Sequence, residues 1–212
     1  MIFKDRKDAG KSLAQALEKY ESDDAVILAL PRGGTVLGYE VARHLQAPLS
    51  LSIAQKIGHP LSAEYAIGAI TRDGTYIINE EEKRHLSSSW LESEKAVKQK
   101  EAQRRYDTYL KGRKTPSLQG KVVILVDDGL ATGYTMRVAV KAVKASKPGK
   151  IVVAVPVASS ESIGALRNEV DDIICLYIPP SLGAIGAYYE DFDQVSDDEV
   201  IELLNAAEGS SL

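Results

Sequence analysis

The 212-residue chain predicts an α/β fold, an open and mostly parallel five-stranded sheet with helices on both faces. Five short apolar runs rich in β-branched residues have the length of strands buried on both sides: Ala25 to Leu30, Leu49 to Ala54, Val122 to Val126, Ile151 to Val155 and Ile173 to Ile178. Segments with helical spacing alternate with them, at Thr35 to Gln46, Tyr134 to Ser146 and Ser160 to Val170, and such alternation implies right-handed crossovers between parallel strands. The composition, 44% apolar and 26% charged, is that of one ordinary globular domain covering residues 1–212.

The first run leads into Pro31-Arg32-Gly33-Gly34 and the first helical segment, and the second run ends near Lys56. Residues 56–120 then leave the alternation as an excursion from the core. Within it, Ile67 to Asn79 reads as a hairpin, because Asp73-Gly74 between Arg72 and Thr75 accepts positive φ cheaply. Glu80 to Lys111 reads as one long polar helix with Leu86, Trp90, Leu91, Val97 and Ala102 as sparse apolar positions. Lys95 to Lys114 carries eight Lys or Arg against Glu101 and Asp107, which is a solvated helix face or, alternatively, an RNA or polyphosphate contact. Pro116 and Gly120 bracket the return to the core, the last core run leads into residues 177–195, and a final helix is expected over Asp197 to Ala206. The chain holds no internal repeat and no low-complexity segment.

A formal net charge of −4 excludes nucleic-acid or membrane-surface binding by bulk charge, so nucleic acid is not an expected partner and any anion site must be local. Cys175 is the one cysteine, set in an apolar run, where it reads as a small hydrophobe; no internal disulfide is possible, which fits a reducing compartment. Met1 to Asp8 lacks the apolar stretch of a signal peptide, and no apolar run approaches the roughly 20 residues that span a bilayer. A cytoplasmic protein is expected. His44, His59 and His85 have unrelated spacings and form no metal set.

Ligands of open α/β sheets gather at the carboxyl ends of the strands, and the stretch after Lys121 places a distinctive order there. Val122 to Val126 is followed by Asp127-Asp128, then Gly129-Leu130-Ala131-Thr132-Gly133, then Tyr134-Thr135-Met136 at a helix start. Unpaired N–H groups at a helix start bind phosphate, Thr132 and Thr135 can add hydroxyl donors, and Gly133 lets the backbone approach the anion. Carboxylates beside such a cradle would repel the ligand unless they faced its sugar hydroxyls, so Asp127 and Asp128 are read as a ribose clamp. The spacing matches neither a Walker loop nor a dinucleotide fingerprint. Compensation of the helix N-terminus by the two acids is the purely structural alternative.

The stretch resembles the motif of the type I phosphoribosyltransferases: apolar residues, two acids and Thr-Gly-x-Thr. Through Leu30 to Gly34, Gly38 to Ala42, Glu64 to Ala69 and Gly186 to Phe192 the chain is similar, over nearly its full length, to a bacterial and archaeal subgroup of that family. The resemblance implies phosphoribosyl pyrophosphate (PRPP) as substrate, a nucleobase-like acceptor, Mg2+, and Gly129 and Ala131 to Thr135 around the phosphate. It assigns Arg32, Gly33 and Gly34 to pyrophosphate, with a cis peptide expected at Arg32-Gly33. Lys56 would neutralise the leaving pyrophosphate. Asp127 and Asp128 would serve the metal through water or ribose hydroxyls, and Glu190 and Asp191 are further metal candidates. Residues 177–195 look like a hood in which Tyr188, Tyr189 or Phe192 stacks on a base, packing against the final helix being the alternative.

Ala131 stands where 6-oxopurine enzymes carry an acid and adenine-type enzymes an alanine, whereas the hood differs from the adenine type. The acceptor base therefore stays open. The excursion occupies the place of a loop that closes over the site in related enzymes, and its extra length could serve a homodimer, the expected assembly. The expected activity is phosphoribosyl transfer with pyrophosphate release in nucleotide salvage; the alternative is a PRPP- or nucleotide-sensing regulator that binds RNA.

Overall fold

The computed structural model describes residues 1–21 and 23–209. In chain order they form α1 (Arg6–Ala16), β1 (Ala25–Ala29), α2 (Gly33–Leu45), β2 (Leu49–Leu51), β3 (Ala54–His59), β4 (Ser62–Thr71), β5 (Tyr76–Ile78), α3 (Glu80–Arg84) and α4 (Ser88–Tyr109). They continue with β6 (Val122–Val126), α5 (Tyr134–Lys144), β7 (Lys150–Val157), α6 (Ser160–Leu166), β8 (Asp172–Tyr177) and α7 (Asp197–Gly209). The five predicted runs pair in the order β2-β1-β6-β7-β8, every neighbour parallel.

Alternation of side chains along the strands sends two sets of apolar residues to opposite faces. Ile27, Ile124 and Val152 pack with Ala9 and Leu13 of α1 and with Leu37 and Val41 of α2. Leu28, Val123, Leu125 and Val153 pack with Met136 and Val140 of α5 and with Ile163 and Leu166 of α6. Helix α1 is an addition to the predicted elements. Its charged sequence hides a narrow apolar stripe of Ala9, Leu13 and Ala14, and Asp5 caps it by accepting from the Asp8 amide at 2.7 Å. Among the described residues no helix is long and apolar enough to cross a membrane.

The second run does not continue to Ala54 as one strand. The Ser52 amide still donates to the Ala29 carbonyl at 2.9 Å, but Ala54 already belongs to a second, antiparallel sheet of order β3-β4-β5. The Asp73-Gly74 turn is where expected, with Gly74 at φ 85°, yet β4 starts five residues before the predicted hairpin and takes β3 as an extra partner. The long helix is two helices, because Asn79 caps α3 and Ser87 opens α4. Five of the eight cations between Lys95 and Lys114, namely Lys95, Lys98, Arg104, Arg105 and Arg113, form ion pairs.

Candidate functional site

The loops after β1 and β6 lie side by side because those strands are neighbours; the Leu30 amide donates to the Val126 carbonyl at 2.8 Å. Their contact explains the glycine pair. A Cβ on Gly33 would overlap Asp128 Oδ2 and stand 2.8 Å from Arg6 Nε, and one on Gly34 would stand 2.8 Å from the Val126 carbonyl oxygen and 3.0 Å from Asp127 Cα. The absent side chains thus make room for the acidic doublet itself.

Each carboxylate of the doublet uses one oxygen inside the protein. Asp127 Oδ1 accepts from the Asp128 amide at 2.8 Å, and Asp128 Oδ2 accepts from Arg6 Nε at 2.8 Å. The second oxygen of each accepts no hydrogen bond among the described residues. Burial and the Asp128 charge push Asp127 well above the usual carboxylate range; burial raises Asp128 too, against the lowering effect of Arg6. One arginine against two half-buried carboxylates leaves the pair short of a cation or of hydroxyl donors.

Beyond the doublet, the loop is fixed from outside and open inward. Leu130 is bridged to Ala158, and the Ala131 carbonyl accepts from Ser159 Oγ at 2.9 Å and Ser162 Oγ at 2.6 Å. Gly133, at φ 72° and ψ 0°, is the N-cap of α5 and no side chain caps that helix. The amides of Ala131, Thr132 and Gly133 and the hydroxyls of Thr132 and Thr135 meet no acceptor among the described residues. With Tyr134 and Thr135 opening the helix, five consecutive N–H groups are available to an anion.

The other predicted residues divide. Arg32 is the N-cap of α2, and its Nη1 lies 3.4 Å from Asp197 Oδ1, whose carboxyl is held below the usual range chiefly by the Tyr109 hydroxyl and then by Arg32. The cis peptide is Pro31-Arg32, one bond before the expected one. Lys56 is not at the edge of the core sheet: it lies on β3, its Nζ 3.1 Å from Glu64 Oε2, because the chain has already crossed to the second sheet.

The hood residues also need correction. Tyr189 is buried against Phe3, with ring centroids 5.6 Å apart, and its hydroxyl donates to the Asp128 carbonyl at 2.6 Å. Arg6 Cζ stands 3.7 Å from the Phe192 ring centroid, so that face is covered as well. Tyr189 is thus not presented for stacking, and half-buried Phe192 has Arg6 over one face and the Tyr189 ring 4.8 Å away. Tyr188 is half-buried, its ring 5.9 Å from that of Tyr177. The amides of Glu190 and Asp191 donate to Phe3 and Lys4 carbonyls, and Asp191 Oδ1 accepts from the Asp193 amide. Among the described residues no group of three or more His, Cys, Asp or Glu is placed to hold a metal ion by protein ligands alone, and Glu190 and Asp191 are both exposed.

Four contributors are not legible in the sequence. Arg6 lies on an unpredicted helix, Ser159 and Ser162 look like ordinary polar starts of α6, and Ile185 packs where a Cβ on Gly129 would be, 2.6 Å from Ile185 Cγ2. The capping pattern Asp5 to Asp8 could have announced α1, but nothing local announces that Arg6 crosses 122 residues of sequence to reach Asp128.

Fold and loops define an open, parallel α/β protein whose candidate ligand loops follow two adjacent strands. Residues 3–179 match the family model described as phosphoribosyl transferase domain, and the chain belongs to that family. It is 38% identical over 208 residues to the Mycobacterium tuberculosis protein named "Putative phosphoribosyl transferase Rv0571c", covering 97% of this chain and 47% of that one. The chain thus spans about half the length of the curated relatives it matches. The solved structure of TT1426 from Thermus thermophilus is similar over 96% of this chain and 98% of that chain, at 38% identity and a TM-score of 0.81. The AQ2163 protein of Aquifex aeolicus, 16% identical with a TM-score of 0.53 over 85% of this chain and 78% of that one, shares the fold.

Proposed function

We propose that the chain transfers a phosphoribosyl group between PRPP and a nitrogenous base, with release or uptake of pyrophosphate. The observation that carries this reading is the juxtaposition of two half-satisfied carboxylates with five consecutive open amides at one strand end. A sugar phosphate satisfies both at once: its phosphate takes the amides of Ala131 to Thr135 and the hydroxyls of Thr132 and Thr135, while its diol donates to Asp127 and Asp128. Family membership and the likeness to TT1426 support the same substrate class.

Breaking the anomeric bond leaves positive charge on the ribose and builds negative charge on pyrophosphate, so catalysis is mainly electrostatic. Asp127 and Asp128 hold the ring hydroxyls and place their negative charge beside the developing cation. We assign the amides of Arg32, Gly33 and Gly34, on the neighbouring loop, to the leaving pyrophosphate. The donor set fits Mg2+, since each acid keeps one oxygen without a hydrogen bond; the ion would be held by Asp127 and Asp128 through water or ribose hydroxyls. When bound, it supplies neutralisation of pyrophosphate charge.

The β3–β4 hairpin suits water exclusion. Tyr65 on it donates its hydroxyl to Glu82 Oε1 at 2.8 Å, and Leu61 at its tip is 90% exposed. Of the predicted aromatics we assign half-buried Tyr188, whose ring carries no cation among the described residues, to a base. The ion pairs along Lys95 to Lys114 weaken the RNA-binding alternative. We place the protein in nucleotide salvage, in the cytoplasm, as a homodimer.

The test is a panel of purine and pyrimidine bases incubated with PRPP and Mg2+, with pyrophosphate release as readout and Asp127→Asn/Asp128→Asn as control. One base should give release that the control lacks. PRPP binding without release on any base would favour a sensing role, and absence of PRPP binding would refute the site.

A further inference from the structure

We infer that Arg6 is a positioning residue for the ribose site, the hub of a clamp that aims Asp128 from outside the loop that carries it. This rests on the reading of Asp128 as a sugar-hydroxyl acceptor. The geometry is that of a side chain held at three points. Arg6 is the first residue of α1, its side chain is 12% exposed, and its Nε reaches Asp128 Oδ2 at 2.8 Å. Its Nη1 donates to the Asp193 carbonyl at 2.6 Å, and its guanidinium lies over the Phe192 ring at 3.7 Å from Cζ to centroid. Three segments far apart in sequence, the chain start, the β6 end and residues 189–193, therefore meet at one guanidinium.

The planar fork explains why an arginine stands there. It can bond the carboxylate with one N–H and the carbonyl with another while its face stacks on the ring, which a lysine ammonium cannot do together. A second tie comes from the same C-terminal segment, the Tyr189 hydroxyl on the Asp128 carbonyl at 2.6 Å, so both the side chain and the main chain of Asp128 are anchored. With Oδ2 held, rotation of the carboxylate is stopped and Oδ1 keeps one direction. Across the pair, Gly33 leaves room for Asp128 Oδ2 and for Arg6 Nε, so the first loop is shaped around the clamp too. Pre-set orientation of this kind lowers the ordering cost of binding.

The test is a double-mutant cycle read by calorimetric titration with Mg-PRPP, on the full chain, with melting curves to confirm folding. Arg6→Ala should weaken PRPP binding at least tenfold in the native background and less than threefold in an Asp128→Asn background. Arg6→Lys keeps the charge but not the fork; it should fold and bind between the native protein and Arg6→Ala, so the clamp stays testable even if the alanine variant does not fold. Equal losses in the two backgrounds would make Arg6 a general stabiliser and overturn the inference, as would native affinity in Arg6→Ala or Arg6→Lys. If the native protein failed to bind PRPP, both the ribose reading and the clamp would fall; losses that merely add would remove the clamp and leave the site intact.

Discussion

The loops after β1 and β6 occupy equivalent places, each leaving the carboxyl end of a central parallel strand and opening a helix, yet their glycines answer different demands. Gly33 and Gly34 have no positive φ; they are glycine because the facing doublet occupies the space of a side chain. A Cβ on Gly133 would meet only Ser162, its side chain at a tight 3.3 Å, but the residue sits at φ 72°. One loop is shaped by its neighbour and the other by its own backbone. A glycine-rich loop therefore need not be a phosphate cradle, and the two types can be told apart by substitution.

The sharpest contrast is Gly33→Ala against Gly133→Ala. In the first, the new methyl group displaces the Asp128 carboxylate or Arg6, and PRPP affinity should fall about 100-fold, nearly 3 kcal/mol, in a calorimetric titration. In the second, an L-residue is forced into the left-handed region, costing about 1–2 kcal/mol of stability in urea unfolding. If Gly33→Ala bound PRPP normally, the contact between the loops would not matter to the ligand.

A third variant separates function from stability within the doublet. Because burial and Asp128 raise Asp127, the folded state takes up a proton more readily than the unfolded chain, so the ionised pair opposes folding at neutral pH. Asp127→Asn should raise the melting midpoint by about 2–4 °C at pH 7 while abolishing PRPP binding. The gain should shrink as the pH falls toward the ordinary carboxylate range, where the native pair is relieved by protonation. A lowered midpoint at pH 7 would mean that Arg6 already compensates the pair.

The smallest effect belongs far from both loops. Glu101 is held down at about 2, first by Arg104, but the pair is partly exposed, so Glu101→Gln should cost less than about 1 kcal/mol in urea unfolding. That contribution is present above the ordinary glutamate range and is lost as the pH falls through about 2. PRPP affinity should not change.

The parallel sheet was legible because its strands are continuous apolar runs, and the doublet with Thr132 to Thr135 because their chemistry is contiguous in sequence. What stayed hidden depends on contacts distant in sequence or on breaks within a pattern. Strand β3 carries Lys56, Gly58 and His59 and reads as a polar link, its strand character supplied by pairing with β4. Ser87 to Ser89 interrupt a helical pattern whose charges run on regardless. Tyr189 and Phe192 were recognisable as site-linked aromatics, but which way their rings turn is decided by Phe3 and Arg6, almost 190 residues away.

Soaking crystals with ribose 5-phosphate and Mg2+ is the most direct trial of the central claim. The phosphate should lie on the amides of Ala131 to Thr135 with both ring hydroxyls on Asp127 and Asp128. A phosphate bound at the Arg32-Gly33-Gly34 loop instead, or a doublet left untouched by the sugar, would contradict it.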